Sequence, residues 1–182
     1  MKRSTPLRLA SLLICFGVTA IHAHAEPARV NRGHDPFFQI SKAISDCPVP
    51  LGPLETEKEW LDDSHYRIER GNSCWVEGRC RLSNAYLYDA EIAEAVQRRL
   101  TNINFATHWR EQSTLWLTLQ RRFIYVEGCV APGFDKQSFL TELAKTADVE
   151  RVIDGTVTNP RAAQLPYKTR ANPDKPVLDP GN

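Results

Sequence analysis

The stretch that most limits what this chain can fold into is Ser113–Val130, STLWLTLQRRFIYVEGCV. β-Branched and aromatic residues dominate it, and apolar residues alternate with others on both sides of Arg121-Arg122. The pattern predicts two short strands, Ser113–Leu119 and Gln120–Val130, joined by a tight reversal. Strand alternation puts Leu115, Leu117 and Leu119 on one face with Ile124, Val126 and Val130, and Gly128 lies in that row. Thr114, Trp116 and Thr118, then Phe123, Tyr125 and Cys129, point the other way. That second face is too apolar to stay wet in a monomer, and it carries a cysteine.

Around this pair the chain reads helix, strand, strand, helix, strand. Asp89 is a candidate N-cap for a helix over Ala90–Thr101, where Ile92, Val96 and Leu100 recur at helical spacing. Glu91 and Glu94 near its start and Arg98 and Arg99 near its end suit the helix dipole. Residues 102–112 read as a connector holding Phe105 and Trp109. After Pro132-Gly133, Asp135 caps a helix over Lys136–Ala147 with Phe139, Leu140, Leu143, Ala144 and Ala147 as its buried stripe. Val149–Val157 is a third strand. The fold class is α+β, with the helices covering the leucine face.

The flanks are less regular. Asp35 and Pro36 open a short helix over Pro36–Cys47, with Phe37, Ile40, Ala43 and Ile44 on one face. Pro48, Pro50 and Pro53 force an extended link. Glu55–Glu69 reads as a helix along Trp60, Leu61, Ser64 and Ile68, closed by Arg70-Gly71-Asn72. From Thr158 the periodicity stops. The last 25 residues hold five prolines, which predicts a disordered tail over residues 158–182.

Residues 1–25 have the build of a secretory signal peptide. Lys2, Arg3 and Arg8 precede the apolar run Leu9–Ile21, which is too short to span a bilayer, and Ala23-His24-Ala25 is a cleavage site before Glu26. Cys15 lies inside the apolar run behind Leu13 and Ile14, unlike a lipidation site. A soluble periplasmic protein is expected. Without Lys2, Arg3 and Arg8 the chain keeps 20 basic against 22 acidic residues. A nucleic-acid partner would want a basic excess.

The remaining cysteines are Cys47, Cys74, Cys80 and Cys129. An even count in an exported chain predicts two disulfides. Zinc is the rival, but there is no C-x-x-C, and His65 and His108 sit in no ligand pattern. Three pairings are open. The short loop through Gly78 favours Cys74–Cys80, which leaves Cys47–Cys129. That second bond would close a loop of about 80 residues, nominally worth about 4 kcal/mol. Any bond from Cys129 to the others brings residues 26–88 onto the aromatic face, because bonded Cα atoms lie within about 7 Å. Residues 26–88 are therefore expected to be an extension packing on the sheet.

DAEIAEAVQRRL, FIYVEGCV and SFLTELAKTADVERVIDGT, within residues 89–157, resemble the BON (bacterial OsmY and nodulation) domain. Gly128 sits where that family carries a glycine. Arg121-Arg122 and Asp148 stand where it usually has others. The resemblance implies an αββαβ fold in an envelope protein that binds a surface, phospholipid membranes being the usual proposal.

No motif for chemistry accompanies this. No serine sits in G-x-S-x-G, and G-x-G-x-x-G and the P-loop are missing. Asp62, Asp63 and His65, like Glu55, Glu57, Lys58 and Glu59, read as a solvated helix face. No enzyme, metal or cofactor is expected. Arg98, Arg99, Arg121 and Arg122 are the candidate residues for an anionic surface. The expected function is a non-catalytic envelope binding module docking on phospholipid. The alternative is a structural or assembly component of an envelope protein complex.

Overall fold

The computed structural model describes residues 27–177. The expected signal peptide, its expected cleavage site and Cys15 lie outside the described residues. In chain order the elements are β1 (Phe37–Gln39), α1 (Glu57–Val76), a tight helical turn (Ala85–Tyr88), α2 (Asp89–Thr107), α3 (Trp109–Gln112), β2 (Ser113–Gln120), β3 (Phe123–Val130), α4 (Lys136–Ala144) and β4 (Arg151–Val157). They form a four-stranded sheet in the order β1-β2-β3-β4, with β3 and β4 parallel and the other pairs antiparallel. The α+β class holds.

Alternation in the central pair decides the two faces as the sequence predicts. Leu115, Leu117, Leu119, Ile124 and Val126 are wholly buried, and Ile92, Val96 and Leu100 of α2 with Phe139 and Leu143 of α4 complete one core over them. Gly128 is tightly confined by its neighbours. A Cβ there would lie 2.2 Å from the Thr114 carbonyl oxygen, and its φ is 133°. The neighbour that demands glycine is the backbone of β2.

Between β2 and β3, Gln120 faces Phe123, so only Arg121 and Arg122 make the reversal. Both are left-handed, with φ of 56° and 68°. That turn matches the twist of the strands but disfavours bulky side chains. The Asp89 carboxylate offsets the strain by accepting the Arg121 N–H at 2.7 Å and the Arg122 N–H at 2.8 Å. Asp89 is thus not the N-cap the sequence predicts. It is the first residue of α2, and its side chain belongs to the hairpin.

Helix α2 runs six residues past the expected Thr101, because Ile103 and Thr107 continue its buried stripe. α3 occupies the rest of the expected connector, and the buried Trp109 donates its indole N–H to the Leu100 carbonyl at 3.1 Å. Asp135 caps α4 as predicted, accepting from the Ser138 N–H at 3.0 Å. α4 ends at Ala144, short of the predicted Ala147, where the Thr146 N–H turns back to Leu143.

Three expectations about the flanks are corrected. The helix over Pro36–Cys47 does not form. Its first part is β1, and the Leu119, Ile40 and Ala43 N–H groups bond to Pro36, Leu115 and Ser113 carbonyls along the outer edge of β2. A helix would have satisfied its own backbone and left that edge unpaired. α1 starts behind Thr56, which forms a capping box with Glu59, and it passes through Gly71 to Val76. Gly71 does not end it, and the Asn84 side chain packs where a Cβ would be. The face expected to be buried is wrong too: Leu61 and Ile68 are exposed, and Gly71 and Cys74 are buried. Finally, the described part of the tail is docked. Leu51 N–H donates to the Lys168 carbonyl at 2.8 Å and Arg170 N–H to the Val49 carbonyl at 3.0 Å. Tyr167 is buried and its hydroxyl donates to the Pro48 carbonyl at 3.2 Å. The proline-rich link Pro48–Pro53 has few helix or sheet partners of its own, so a second extended segment satisfies it.

Cys47–Cys129 and Cys74–Cys80 are the two disulfides, with Cα separations of 5.8 and 5.3 Å. The first holds the extension on the second sheet face. Thr114 seals the same contact, donating to the Ile44 carbonyl and accepting the Ile44 N–H. Trp116 lies beneath this cover, almost wholly buried.

Candidate functional site

The uncovered part of the second face carries the most unusual residue of the fold. Glu127 lies on β3 between Tyr125 and Cys129, opposite Trp116 on β2 and Gly155 on β4. Its row is the one the disulfide and extension cover at the Trp116 end. Among the described residues its carboxyl makes no hydrogen bond or ion pair, and Oε2 is sealed from solvent. Burial alone pushes its pKa up to about 7. Gly155 leaves the room for it: a Cβ at that position would sit 3.2 Å from Glu127 Cγ and 3.1 Å from the Val126 carbonyl oxygen.

Above this carboxyl is a cavity of about 320 Å³. Tyr125, Glu127, Ile153 and Gly155 form its floor. Leu51 and Gly52 of the extension form one wall, and Pro166, Tyr167 and Lys168 of the tail form another, with Val177 at the edge. The size and the mostly apolar lining suit a small-molecule site. The phenols of Tyr125 and Tyr167 are raised above their ordinary pKa, first by burial and also by the charge of Glu127, so both are neutral at neutral pH. Asp154 also reaches the cavity, but its carboxylate is taken. It accepts from Lys136 at 2.6 Å and from Thr156 at 2.7 and 2.9 Å. Burial raises its pKa, and those partners more than reverse the effect. Lys168 stands exposed at the rim and makes no ion pair among the described residues.

The four arginines named from the sequence do not form one patch. Arg98 is exposed beside Glu94 at 3.9 Å, and Arg99 reaches Glu142 at 3.5 Å and the Lys145 carbonyl at 3.0 Å. They sit nine and ten residues along α2 from Asp89, about 15 Å from the hairpin turn at 1.5 Å per residue. Arg122 is tied to the Asp148 carbonyl at 2.8 Å and to Glu150 at 3.4 Å. Arg121 lies over the Phe123 ring at 4.7 Å and has no ion pair among the described residues. With Arg70, Arg79 and Ser73 it lines a second cavity of about 200 Å³, which Glu150 also enters. Arg70 pairs with Asp63 and Arg79 with Glu77.

The Lys58–Asp62 and Arg70–Asp63 ion pairs and the His65–Glu69 contact lie along α1 as a solvated polar face, matching the sequence reading. Among the described residues, no group of three or more histidines, cysteines and acids could hold a metal ion, and no helix is long and apolar enough to cross a membrane. Sequence reasoning passed over Glu127. The signal was there: a glutamate in mid-strand, on a face expected to be covered. Tyr167 gave no signal, because its burial depends on the docked tail. Compared with protein-family models, curated proteins and solved structures, the chain matches none.

Proposed function

We propose that this chain is a non-catalytic envelope binding module that holds a small ligand in the cavity above Glu127. The observation that carries the reading is the buried, unpartnered Glu127 Oε2 at the foot of a mostly apolar pocket. An unpaired carboxyl out of water costs stability and contributes nothing to the fold. Such a group is kept where a ligand completes it. No nucleophile is paired with Glu127 among the described residues, which supports binding over catalysis. The two disulfides fit an oxidising compartment, in line with an exported protein.

The test is amide shift perturbation at Gly52 and Gly155 with butylamine, butanol and butyrate. The amine and the alcohol should move both amides, because each offers Glu127 a donor. Butyrate should not, because it would set a second carboxylate against the first. No shift from any of the three up to about 10 mM, or butyrate binding best, would refute the reading.

A second reading keeps docking on phospholipid, the surface suggested by the resemblance to BON domains. Arg121, which has no acidic partner among the described residues and lies beside Arg70 and Arg79, favours it. Co-sedimentation with anionic vesicles should then fall with salt and with Arg121→Ala. No binding at low salt, together with a stable complex recovered from envelopes, would favour an assembly component instead.

A further inference from the structure

This inference rests on the reading that the cavity above Glu127 holds a small ligand, and it names the chemical class. The sign of the missing charge comes first. Lys136, beside the site, is bonded to Asp154 at 2.6 Å. Lys168 at the rim and Arg121 at the hairpin make no ion pair with Glu127. An anionic ligand would be repelled by the carboxylate, and a neutral one would leave it without a counter-charge. A cation supplies what the fold omits.

The kind of cation follows from the lining. A primary ammonium donates three hydrogen bonds and needs three acceptors. The Asp154 oxygens are engaged by Lys136 and Thr156, and the Tyr167 hydroxyl is turned to Pro48. That leaves Glu127 and the Tyr125 hydroxyl as the side-chain acceptors not already engaged, among Leu51, Ile153 and Pro166. A methylated ammonium has no N–H to satisfy. It needs a negative charge, apolar contact and aromatic faces, and Tyr125 and Tyr167 supply two rings in the same cavity.

We infer that the cavity takes a quaternary ammonium compound of the choline type, its positive head against Glu127 and its methyl groups among Tyr125, Tyr167 and the apolar walls. Gly155 keeps the floor open for that head. The two tyrosines come from different parts of the chain, one from β3 and one from the tail, so the site exists only when the tail is docked.

The experiment uses the mature chain with both disulfides intact and three probes that share the hydroxyethyl arm. These are choline, its neutral isostere dimethylbutanol, in which carbon replaces nitrogen, and the primary amine ethanolamine. Affinities are read from amide shifts at Gly52 and Gly155. Choline should bind at least about tenfold more tightly than dimethylbutanol, a gap set by charge and ring contacts together. Glu127→Gln, which keeps the shape, should bring the two to within a few-fold. Tyr125→Leu should weaken choline and spare dimethylbutanol. Equal binding of choline and dimethylbutanol to the unaltered protein would overturn the ammonium assignment while the small-ligand site stands. Ethanolamine binding more tightly than choline would overturn the quaternary class alone. No response at either glycine to any probe would overturn this inference and the binding reading together.

Discussion

Replacing Glu127 with glutamine should remove a pH dependence that the buried carboxyl imposes on stability. Burial raises its pKa from 4.5 to about 7, and no cation among the described residues opposes the shift. Between those values the folded chain keeps the proton and the unfolded chain has released it. The unfolded state then binds fewer protons, so the free energy of unfolding falls as pH rises through the window and levels off above it. A shift of about 2.5 units at about 1.4 kcal/mol each sets a ceiling of about 3 kcal/mol on the loss. Part of the side chain still meets solvent, so the observed loss should lie below that. Asp89, pushed up to about 6 chiefly by burial against its two backbone bonds, slopes the same way but is common to both proteins. It cancels in the difference. The assay is guanidinium unfolding of the protein and Glu127→Gln at pH values from about 4.5 to about 8, with equal m-values required. The unaltered protein should be at least as stable as the variant at the acid end and weaker at the neutral end. Parallel pH curves, or a variant that loses more than the parent on going to neutral pH, would refute the account of Glu127 as buried and unpaired.

Asp89→Ala should cost about 2–3 kcal/mol in denaturant unfolding, because it strands the N–H groups of Arg121 and Arg122 in a left-handed turn. Changing Arg121 and Arg122 to Asn and Gly should stabilise the parent by about 1 kcal/mol, since both φ values are positive. Cys47→Ser with Cys129→Ser opens a loop of sequence separation 82, with an expected loss of about 4 kcal/mol in chemical unfolding and new access of iodide to Trp116 fluorescence. Removing the chain from residue 158 exposes the bed of the buried Tyr167 and frees the Leu51 N–H. At about 2 kcal/mol for the tyrosine, the melting temperature should drop by about 5 °C. An unchanged melting temperature would show that the tail is not docked.

What the sequence determined by itself is local. Period-two alternation across Ser113–Val130 sorted Leu115, Leu117, Ile124 and Val126 from Trp116 and Cys129, because side-chain direction in a strand depends only on position along it. Helical spacing placed Ile92, Val96 and Leu100 on one stripe, and Asp135 marked a helix start. Each needs only residues a few places apart. The cysteine count and the placing of Cys129 carried one long-range fact, since a covalent bond fixes a neighbour that pattern cannot. The tertiary structure decided whatever depends on an edge or a cavity meeting a distant segment. Phe37–Gln39 became a strand because the rim of β2 needed partners, although Pro36–Cys47 reads equally well as a helix. The Asp89 side chain, on the first residue of α2, holds a turn 32 residues away. Residues with no periodicity, Pro166–Lys168, closed a pocket because the extended Val49–Leu51 offered them backbone partners. Glu127 is an ordinary letter in FIYVEGCV. It becomes a charge without a partner only when Leu51, Gly155 and Tyr167 surround it, and the free energy of a buried carboxyl depends on those neighbours in space.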